Sequence, residues 1–371
     1  MKILILANID LGLYKFRREL LQTLCQTHQV LVCVPEGDYS ERIRALGCEL
    51  IACPLMNRRG TNPIQDLRLL RFYRALIRQR RPDAVLNYTI KPNVYGGLAA
   101  GALGVPFLAN ITGLGTTIEN GGLLGKLTIT LYRLGLRKAA CVFFQNADNR
   151  RLFTERGIVR GRTRLIPGSG VNLTAHAAEP YPDETDGFRF LFVGRIMRDK
   201  GIGELLEAIH QIHGADPKVT LDVVGWCDED YAQALKAAQA AGELRFHGLQ
   251  DEVHAFYKAC HCAVLPSYHE GTANVMLEAS ATARPVITTR VPGCRETFDE
   301  GVTGLGCEPR SADSLTQAME RMLRLSRAER EAMGKAARKK MELEYDRKLV
   351  IASYLEELSR LAPGPAAGDR T

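Results

Sequence analysis

The chain has 371 residues, 46% of them hydrophobic and 25% charged, so it is too long for one typical domain and has the composition of a globular protein. No apolar run approaches the roughly 18 residues of a membrane-spanning helix, and the N-terminal residues do not predict a signal peptide. The ten cysteines form no C-x-x-C motif and most lie in apolar runs, which favours buried thiols in a reducing cytosol over disulfides or zinc ligands.

The net charge of +7 divides unequally along the chain. Residues 1–178 carry +14 and residues 179–371 carry −7. A basic half beside an acidic half suggests an anionic partner for the first, and a membrane surface, a phosphorylated acceptor and nucleic acid are the candidates. A basic surface with no partner remains open.

The first half alternates apolar strands with amphipathic helices. Strands are predicted at 3–7, 30–34, 49–54, 84–87, 106–111 and 141–144, and helices at 13–26, 63–80, 93–103 and 123–136. Near-continuous apolar strands that alternate with helices indicate a parallel sheet covered on both faces.

A polar segment with two prolines, 175–187, predicts a linker, after which the pattern restarts. The sequence therefore predicts an α/β protein of two doubly wound Rossmann-like domains, 1–178 and 179–345, with ligands in a cleft beyond the carboxyl ends of the strands. A terminal helix, 346–361, is placed to cross back to the first domain, and a disordered tail spans 362–371. Strands are predicted at 190–193, 219–224, 262–265 and 286–289, and helices at 202–212, 231–241, 253–259, 275–281, 312–325 and 328–361 with a break near Tyr345.

The segment Pro266–Glu278 predicts a ligand loop between a strand and a helix. Glu270 lies in the loop and Glu278 on the first turns of the helix. Two carboxylates and a row of N–H groups over Gly271–Asn274 suit a ligand with both hydroxyls and phosphates, such as a nucleotide-sugar. An ordinary strand–loop–helix with two surface glutamates fits the spacing as well.

Two cations follow another predicted strand, which ends at Gly194. Arg195 and Lys200 are placed to bracket a diphosphate, or they are surface charges beside a turn. Gly12, after the first strand, is a second phosphate-binding candidate, although a plain turn explains it equally.

Three residues of the first half are candidates for an acceptor site. Lys91 follows the fourth strand, and Thr112 and Glu119 follow the fifth, where glycines permit a tight loop. The alternative is that Lys91 and Glu119 are ordinary solvent-exposed side chains without a ligand.

A helix over 63–80 carries a basic stripe, with its apolar side predicted to pack in the core. This geometry predicts electrostatic attachment to an anionic membrane without insertion, and Arg17, Arg18, Arg58 and Arg59 are candidates to extend the patch. The membrane-facing residues are Arg68, Arg71, Arg74, Arg78 and Arg81.

These motifs resemble those of family 4 retaining glycosyltransferases with the GT-B fold. The matching segments are FVGRIMRDKGI, LPSYHEGTANVMLEASATARPVITTRVPGCRET, NITGLGT and RLIPGSGVN. Within the family the chain resembles the bacterial CapM-like and PglA-like enzymes that extend undecaprenyl-diphosphate-linked sugars. The resemblance implies a UDP-sugar donor, an undecaprenyl-diphosphate-linked saccharide as acceptor, the cytoplasmic face of the membrane as location, and neither nucleic acid nor a metal or cofactor.

The resemblance also implies roles for particular residues. Arg195 and Lys200 would bind the donor diphosphate, Glu270 the sugar hydroxyls, and Glu278 the ribose. Gly12 and Gly194 would lie near the donor. Many members carry His in the loop after the fifth strand, where this chain has Thr112, so the catalytic contact of the first domain is unassigned. The N–H groups expected to meet sugar and phosphate follow Gly271 and belong to Thr272, Ala273, Asn274 and Val275.

Two other function classes compete with a transferase. A nucleotide-sugar epimerase of the same fold needs acid and base groups around the sugar and no acceptor. A non-catalytic module that binds anionic lipid or nucleic acid would use the arginine stripe and leave the two glutamates without a role. Release of UDP only in the presence of an acceptor separates the transferase from both. The resemblance leaves the transferred sugar open among GalNAc, Gal and GlcNAc.

Overall fold

The computed structural model describes residues 1–57, 60, 62–113 and 122–361. They form two compact units, one from Met1–Ser169 together with the chain from Val350, the other from Gly170–Leu349. Each unit is an α/β sheet of parallel strands, which confirms the predicted pair of doubly wound domains. No helix in the described ranges is long and apolar enough to cross a membrane.

The first unit holds a seven-stranded sheet in the order β3-β2-β1-β4-β5-β6-β7. Its strands are β1 Lys2–Leu6, β2 Gln29–Val34, β3 Glu49–Ala52, β4 Ala84–Tyr88, β5 Phe107–Ile111, β6 Cys141–Phe144 and β7 Thr163–Leu165. Its helices are α1 Asp10–Cys25, α2 Ser40–Arg44, α3 Pro63–Arg80, a π-helix Pro92–Gly96, α4 Gly97–Ala102, α5 Gly122–Leu136 and α6 Ala147–Glu155.

The second unit holds a six-stranded sheet in the order β10-β9-β8-β11-β12-β13. Its strands are β8 Phe188–Val193, β9 Val219–Val224, β10 Leu244–Phe246, β11 Cys262–Leu265, β12 Val286–Thr289 and β13 Gly304–Cys307. Its helices are α7 Ile202–Ala215, α8 Ala232–Ala240, α9 His254–Ala259, α10 Asn274–Ala281, α11 Ala312–Arg324 and α12 Arg327–Glu344, with α13 Arg347–Leu361 beginning at its end.

Both faces of the first sheet are covered, as its continuous apolar strands predict. Leu4 and Leu6 of β1 belong to one core cluster, whereas Ile3 and Ile5 belong to the cluster on the other face. The ten cysteines are free thiols, and eight of them are buried.

The first unit ends earlier than the predicted boundary at residue 178. Val171 is fully buried in a cluster with Leu277 and Met341 of the second unit and pairs with Asp346 as an isolated bridge. The polar segment 175–187 therefore begins after the point at which the chain passes from the first unit to the second. Helix α13 then returns to the first unit, where Val350, Tyr354 and Leu358 enter the core.

Helix α3 begins and ends where local chemistry dictates. The Asn62 side chain accepts a hydrogen bond from the Ile64 backbone N–H at 2.9 Å, and Pro63 occupies the first helical position. Arg81 closes the helix in the left-handed conformation, with φ 48°. The start and end of the basic helix thus agree with the prediction.

Candidate functional site

In the second unit the strand order reverses between β8 and β11, and this point carries the predicted ligand residues. The two strands pair directly, through Phe190 with Cys262 and Leu191 with Ala263. Ligands of doubly wound sheets bind beyond the carboxyl ends of strands at such a reversal. The segments that leave these ends contain Arg195 and Lys200 on one side and Glu270 on the other.

Two glycines let the loops of this site approach closely. Gly201 has φ 70°, and a Cβ there would lie 2.1 Å from the Pro266 carbonyl oxygen. Gly293 has φ 84°, and a Cβ there would lie 2.3 Å from the Glu270 carbonyl oxygen. Only glycine fits either position, so the backbone around Glu270 is fixed on both sides by residues without a side chain.

Lys200 and Glu270 form an ion pair between their Nζ and Oε1 atoms. The Ser267 hydroxyl donates to the same carboxylate at 2.9 Å. The side chains of Lys200 and Glu270 are 18% and 14% exposed, so the pair is largely shielded yet reachable. The structure thus brings together the cation predicted for a diphosphate and the carboxylate predicted for a sugar.

Arg195 also holds a carboxylate partner. Its guanidinium donates to Asp228 Oδ2 at 3.0 Å, and Asp228 follows β9, the other neighbour of β8. The side chain of Arg195 is 35% exposed, twice the fraction of Lys200. Sequence reasoning missed Asp228, because nothing in its spacing links it to Arg195.

Glu278 lies on α10 and is oriented by a buried tyrosine. The Tyr257 hydroxyl donates to Glu278 Oε2 at 2.9 Å. Burial raises the pKa of Tyr257 well above its usual value, so the hydroxyl keeps its proton and remains a donor. The ring of His176 lies 5.8 Å from that of Tyr257, and burial lowers the pKa of His176. No sequence motif marks Tyr257 or His176 as part of the candidate site.

Two of the N–H groups predicted to face the ligand have acceptors within the protein. Ala273 donates its N–H to the Gly293 carbonyl at 2.7 Å, and Asn274 donates to the Thr272 carbonyl at 2.9 Å. The Ala273 contact follows from the tight passage of Gly293 past the loop, whereas the Asn274 contact lies within the loop itself. The side-chain Oδ1 of Asn274 is buried and accepts no hydrogen bond from the described residues.

The candidates of the first half lie in the first unit. Gly12 is on the first turn of α1 rather than in a loop. Lys91 Nζ binds Asp66 Oδ1 at 2.7 Å, and the Tyr95 hydroxyl donates to the other oxygen of that carboxylate at 2.8 Å. Thr112 is exposed just beyond β5. Glu119 lies outside the described residues.

The arginine stripe is on the surface of the first unit. All five of its members are exposed, and no carboxylate of the described residues pairs with them. The apolar side of α3 is core as predicted, with Leu69 and Tyr73 almost fully buried. Arg17 does not extend the patch, because only 4% of it is exposed and it lies over the ring of Tyr88. Arg58 and Arg59 lie outside the described residues.

The described residues contain no group of three or more His, Cys, Asp or Glu arranged to hold a metal ion. The charged side chains beside these strand ends include those of Arg195, Lys200, Glu270 and Glu278. Two cations and two carboxylates can exchange their internal partners for the phosphates and hydroxyls of one ligand.

Solved structures share this architecture over nearly the whole chain. A glycosyltransferase from Rickettsia africae has a TM-score of 0.79 at 18% identity, covering 98% of this chain and 99% of its own. HepE of Anabaena, solved in complex with UDP and glucose, has a TM-score of 0.80 at 18% identity, covering 97% of this chain and 100% of its own.

Two doubly wound parallel sheets in one chain are the architecture of the GT-B glycosyltransferases. The chain matches the family models for a glycosyl transferase 4-like domain over residues 12–168 and for glycosyl transferases group 1 over residues 177–340. It belongs to family 4 of the glycosyltransferases, and this confirms the resemblance seen in the sequence.

Two curated relatives extend the comparison. An N,N'-diacetylbacillosaminyl-diphospho-undecaprenol alpha-1,3-N-acetylgalactosaminyltransferase of Campylobacter jejuni is 24% identical over 378 residues, which is 97% of this chain and 99% of that protein. The capsular polysaccharide biosynthesis glycosyltransferase CapM of Staphylococcus aureus is 30% identical over 169 residues, which is 44% of each.

Proposed function

We propose that this glycosyltransferase moves a hexose or N-acetylhexosamine from a UDP-sugar to an undecaprenyl-diphosphate-linked saccharide, with retention at the anomeric carbon and without a metal ion. The observation that carries the proposal is the Lys200–Glu270 pair at the β8–β11 reversal. The similarity to the Campylobacter enzyme over almost the full length of both chains supports the lipid-linked acceptor. GalNAc, Gal and GlcNAc are the sugars that we propose to test first.

Donor binding begins with an exchange of partners. A diphosphate that reaches Lys200 replaces the carboxylate of Glu270, and Glu270 becomes available to accept hydrogen bonds from the sugar hydroxyls. Arg195 makes the second contact when the diphosphate displaces Asp228. Because a carboxylate is exchanged for a phosphate, neither cation is left unpaired in a shielded site.

The two cations then act on the leaving group. Charge builds on the UDP oxygen as the bond to the sugar breaks, and Lys200 and Arg195 stabilise it without needing to move far. The sugar carries an oxocarbenium-like charge as its bond to the diphosphate breaks. The acceptor hydroxyl attacks from the face that the diphosphate leaves and gives its proton to the departing phosphate oxygen. A double displacement would need a carboxylate at the anomeric carbon on the opposite face, whereas we assign Glu270 to the hydroxyls.

A UDP-release assay tests the proposed reaction. We expect the full-length protein to release UDP from a UDP-sugar of the accepted type only when an undecaprenyl-diphosphate-linked saccharide is present. Each of the three UDP-sugars is assayed with and without that acceptor, and the product is analysed for a new glycosidic bond. Equal release without acceptor, or an isomerised nucleotide-sugar, would contradict transfer and favour hydrolysis or epimerisation.

We also propose that the protein attaches to the cytoplasmic face of the membrane through α3. The exposed arginines are accompanied at the start of this helix by Ile64 and Leu67, which are 64% and 46% exposed. These two side chains lie on the same stripe of the helix as Arg71, Arg74 and Arg78, because the five positions are spaced three or four residues apart. The structure therefore favours shallow burial of two apolar side chains beside the arginines, beyond the purely electrostatic contact predicted from sequence.

Neutralising the stripe should release the protein from anionic vesicles. Changing Arg71, Arg74 and Arg78 to Gln removes about 1 kcal/mol of attraction per residue, or about a hundredfold in vesicle affinity. Co-sedimentation with phosphatidylglycerol vesicles at low and high salt measures the effect, which salt should diminish. As a matched control, three exposed arginines of the same unit are changed to Gln, namely Arg151, Arg156 and Arg160. An equal loss of vesicle binding in this control variant would contradict a specific membrane surface on α3.

A further inference from the structure

The loop that carries Glu270 contains a tyrosine to which the proposed reaction assigns no role. Tyr268 lies two residues before Glu270, between the end of β11 and the start of α10. It is half-buried and contacts three other segments of the second unit. These contacts determine where the loop lies relative to the turn that carries Lys200.

The backbone of Tyr268 joins the loop to that turn. The Tyr268 N–H donates to the Asp199 carbonyl at 2.9 Å, and Asp199 belongs to the short helical turn Arg198–Lys200. The residue before Lys200 is therefore bonded to the residue that lies two before Glu270. This hydrogen bond connects two backbones, so it does not depend on the charge of either side chain.

The side chain of Tyr268 reaches the helix that follows Lys200. Its hydroxyl donates to Glu204 Oε1 at 2.6 Å, and Glu204 lies in the first turn of α7. Burial raises the pKa of Tyr268 to about 12, with the hydrogen bond to Glu204 as the next cause, so the hydroxyl keeps its proton and remains a donor. A hydrogen bond from a hydroxyl to a carboxylate is among the stronger hydrogen bonds of a protein.

A cation covers the ring of the same tyrosine. The Arg310 guanidinium lies 4.8 Å from the centroid of the Tyr268 ring, and Arg310 follows β13. The contact is attractive because a cation is drawn to the electron-rich face of an aromatic ring. Tyr268 is therefore held by the turn before α7, by α7 itself and by the segment after β13.

These contacts matter most when a donor is bound. Without a donor, the ion pair between Lys200 and Glu270 itself ties the loop to the turn. In the proposed exchange a diphosphate takes Lys200, so this tie is lost at the moment when the sugar hydroxyls require a fixed Glu270. The bonds from Tyr268 to Asp199 and Glu204 involve neither charge of the pair and persist through the exchange. An acceptor that is already held in place loses less freedom when the sugar binds to it.

We propose that Tyr268 is a positioning residue, which holds the Glu270 carboxylate in place for the sugar hydroxyls after the diphosphate has taken Lys200. The inference rests on the proposed donor exchange and adds a residue to it. Because Tyr268 acts through Glu270, it should affect the sugar and the transfer step but not the binding of UDP alone.

Tyr268→Phe in the full-length protein tests this role, because it keeps the ring and removes the hydrogen bond to Glu204. We expect kcat for UDP release with acceptor to fall about tenfold, the loss typical of one hydrogen bond to a charged group, while UDP affinity and the melting temperature stay unchanged. Steady-state kinetics give kcat and KM separately, calorimetry gives the UDP affinity, and thermal melting reports on the fold. A merely structural weakening would lower all three together and would overturn the positioning role.

Tyr181→Phe is the matched control. The Tyr181 hydroxyl donates to the His261 carbonyl at 3.1 Å, just before β11 and thus at the opposite end of this strand from the Glu270 loop. We expect unchanged kcat and UDP affinity in this variant. An equal loss of kcat in Tyr181→Phe, or near-normal kcat in Tyr268→Phe, would overturn the positioning role.

Adding Tyr268→Phe to Glu270→Gln tests whether the tyrosine acts through the carboxylate. The double variant should turn over no more slowly than Glu270→Gln alone, because effects that pass through a shared group are not additive. Calorimetry with the UDP-sugar makes the same comparison where turnover is low. A further loss of about tenfold in the double variant would show that Tyr268 acts elsewhere and would overturn the role. A wild-type protein that releases no UDP from any of the three UDP-sugars with acceptor present would overturn the proposed function, and the role of Tyr268 with it.

Discussion

Lys200→Met is expected to lower turnover by about 10²–10³-fold, the loss typical when one group that stabilises a developing charge is removed. Met keeps much of the length of the Lys side chain but cannot meet the diphosphate. Steady-state UDP release, with kcat and KM determined separately, measures the effect. Most of the loss should appear in kcat, because the charge on UDP is greatest in the transition state.

Glu270→Gln should have opposite effects on UDP binding and on turnover, because the proposed exchange frees Lys200 for the diphosphate and Glu270 for the sugar. The substitution removes the carboxylate that occupies Lys200, so UDP alone should bind at least as tightly as to the wild type. Turnover should nevertheless fall, because the sugar hydroxyls lose a charged acceptor. Calorimetry with UDP and the UDP-release assay together give the two opposite effects.

Lys340→Met is the matched control for Lys200→Met. Lys340 is 11% exposed and binds Asp299 Oδ1 at 3.0 Å, so it is a similarly shielded ion pair in the same unit. It lies on α12 rather than at a strand end. We expect unchanged turnover in this variant. Near-normal turnover of Lys200→Met, or an equal loss in Lys340→Met, would remove Lys200 from the reaction.

The alternation of apolar strands and amphipathic helices predicted the two sheets, because strands that are buried on both faces are apolar along almost their whole length. The bounds of α3, β6, β9, β11 and β12 agree with the prediction. Short elements on the rims escaped it, since three to five residues carry too little periodicity. These are α2, β7, β10 and β13.

The charged residues of the candidate site were identified from their places near strand ends, whereas some of the side chains that contact them were missed. Glu270 and Lys200 each follow a strand end, so parallel topology brings them together. Asp228 and Tyr257 approach Arg195 and Glu278 only through the fold, and no local pattern marks them. The acceptor of the Ala273 N–H could not be predicted, because the approach of Gly293 to this loop is invisible in the sequence.

The carboxyl end of β4 shows the same limit of prediction from sequence. The segment YTIKPNVYGG drew attention to Lys91, the charged residue, whereas Lys91 is engaged by Asp66. Neutral neighbours of Lys91, such as Asn87 and Thr89, have buried polar atoms that lack hydrogen-bond partners among the described residues. Whether a polar side chain has a partner depends on packing across strands, and that information exists only in three dimensions.

Arg284→Met is expected to lower the free energy of unfolding by about 3 kcal/mol or more. Arg284 is fully buried, and burial lowers the pKa of its guanidinium. Its donors tie together segments that are distant in sequence, and Met would leave those carbonyls without them. The carbonyl oxygens that accept these hydrogen bonds belong to Glu179, Pro180, Tyr257, Lys258, Thr282 and Ala283.

The loss should reach the donor site as well as the fold. Tyr257 accepts from Arg284 through its carbonyl at 2.9 Å and orients Glu278 through its hydroxyl, so UDP affinity should fall with stability. Arg284→Lys keeps the charge but offers three donors from one atom, and we expect an intermediate loss. Urea unfolding and UDP calorimetry are compared with Arg245→Met, which changes an exposed arginine of β10. Equal stability of Arg284→Met and Arg245→Met would show that the buried guanidinium does not hold the second unit together.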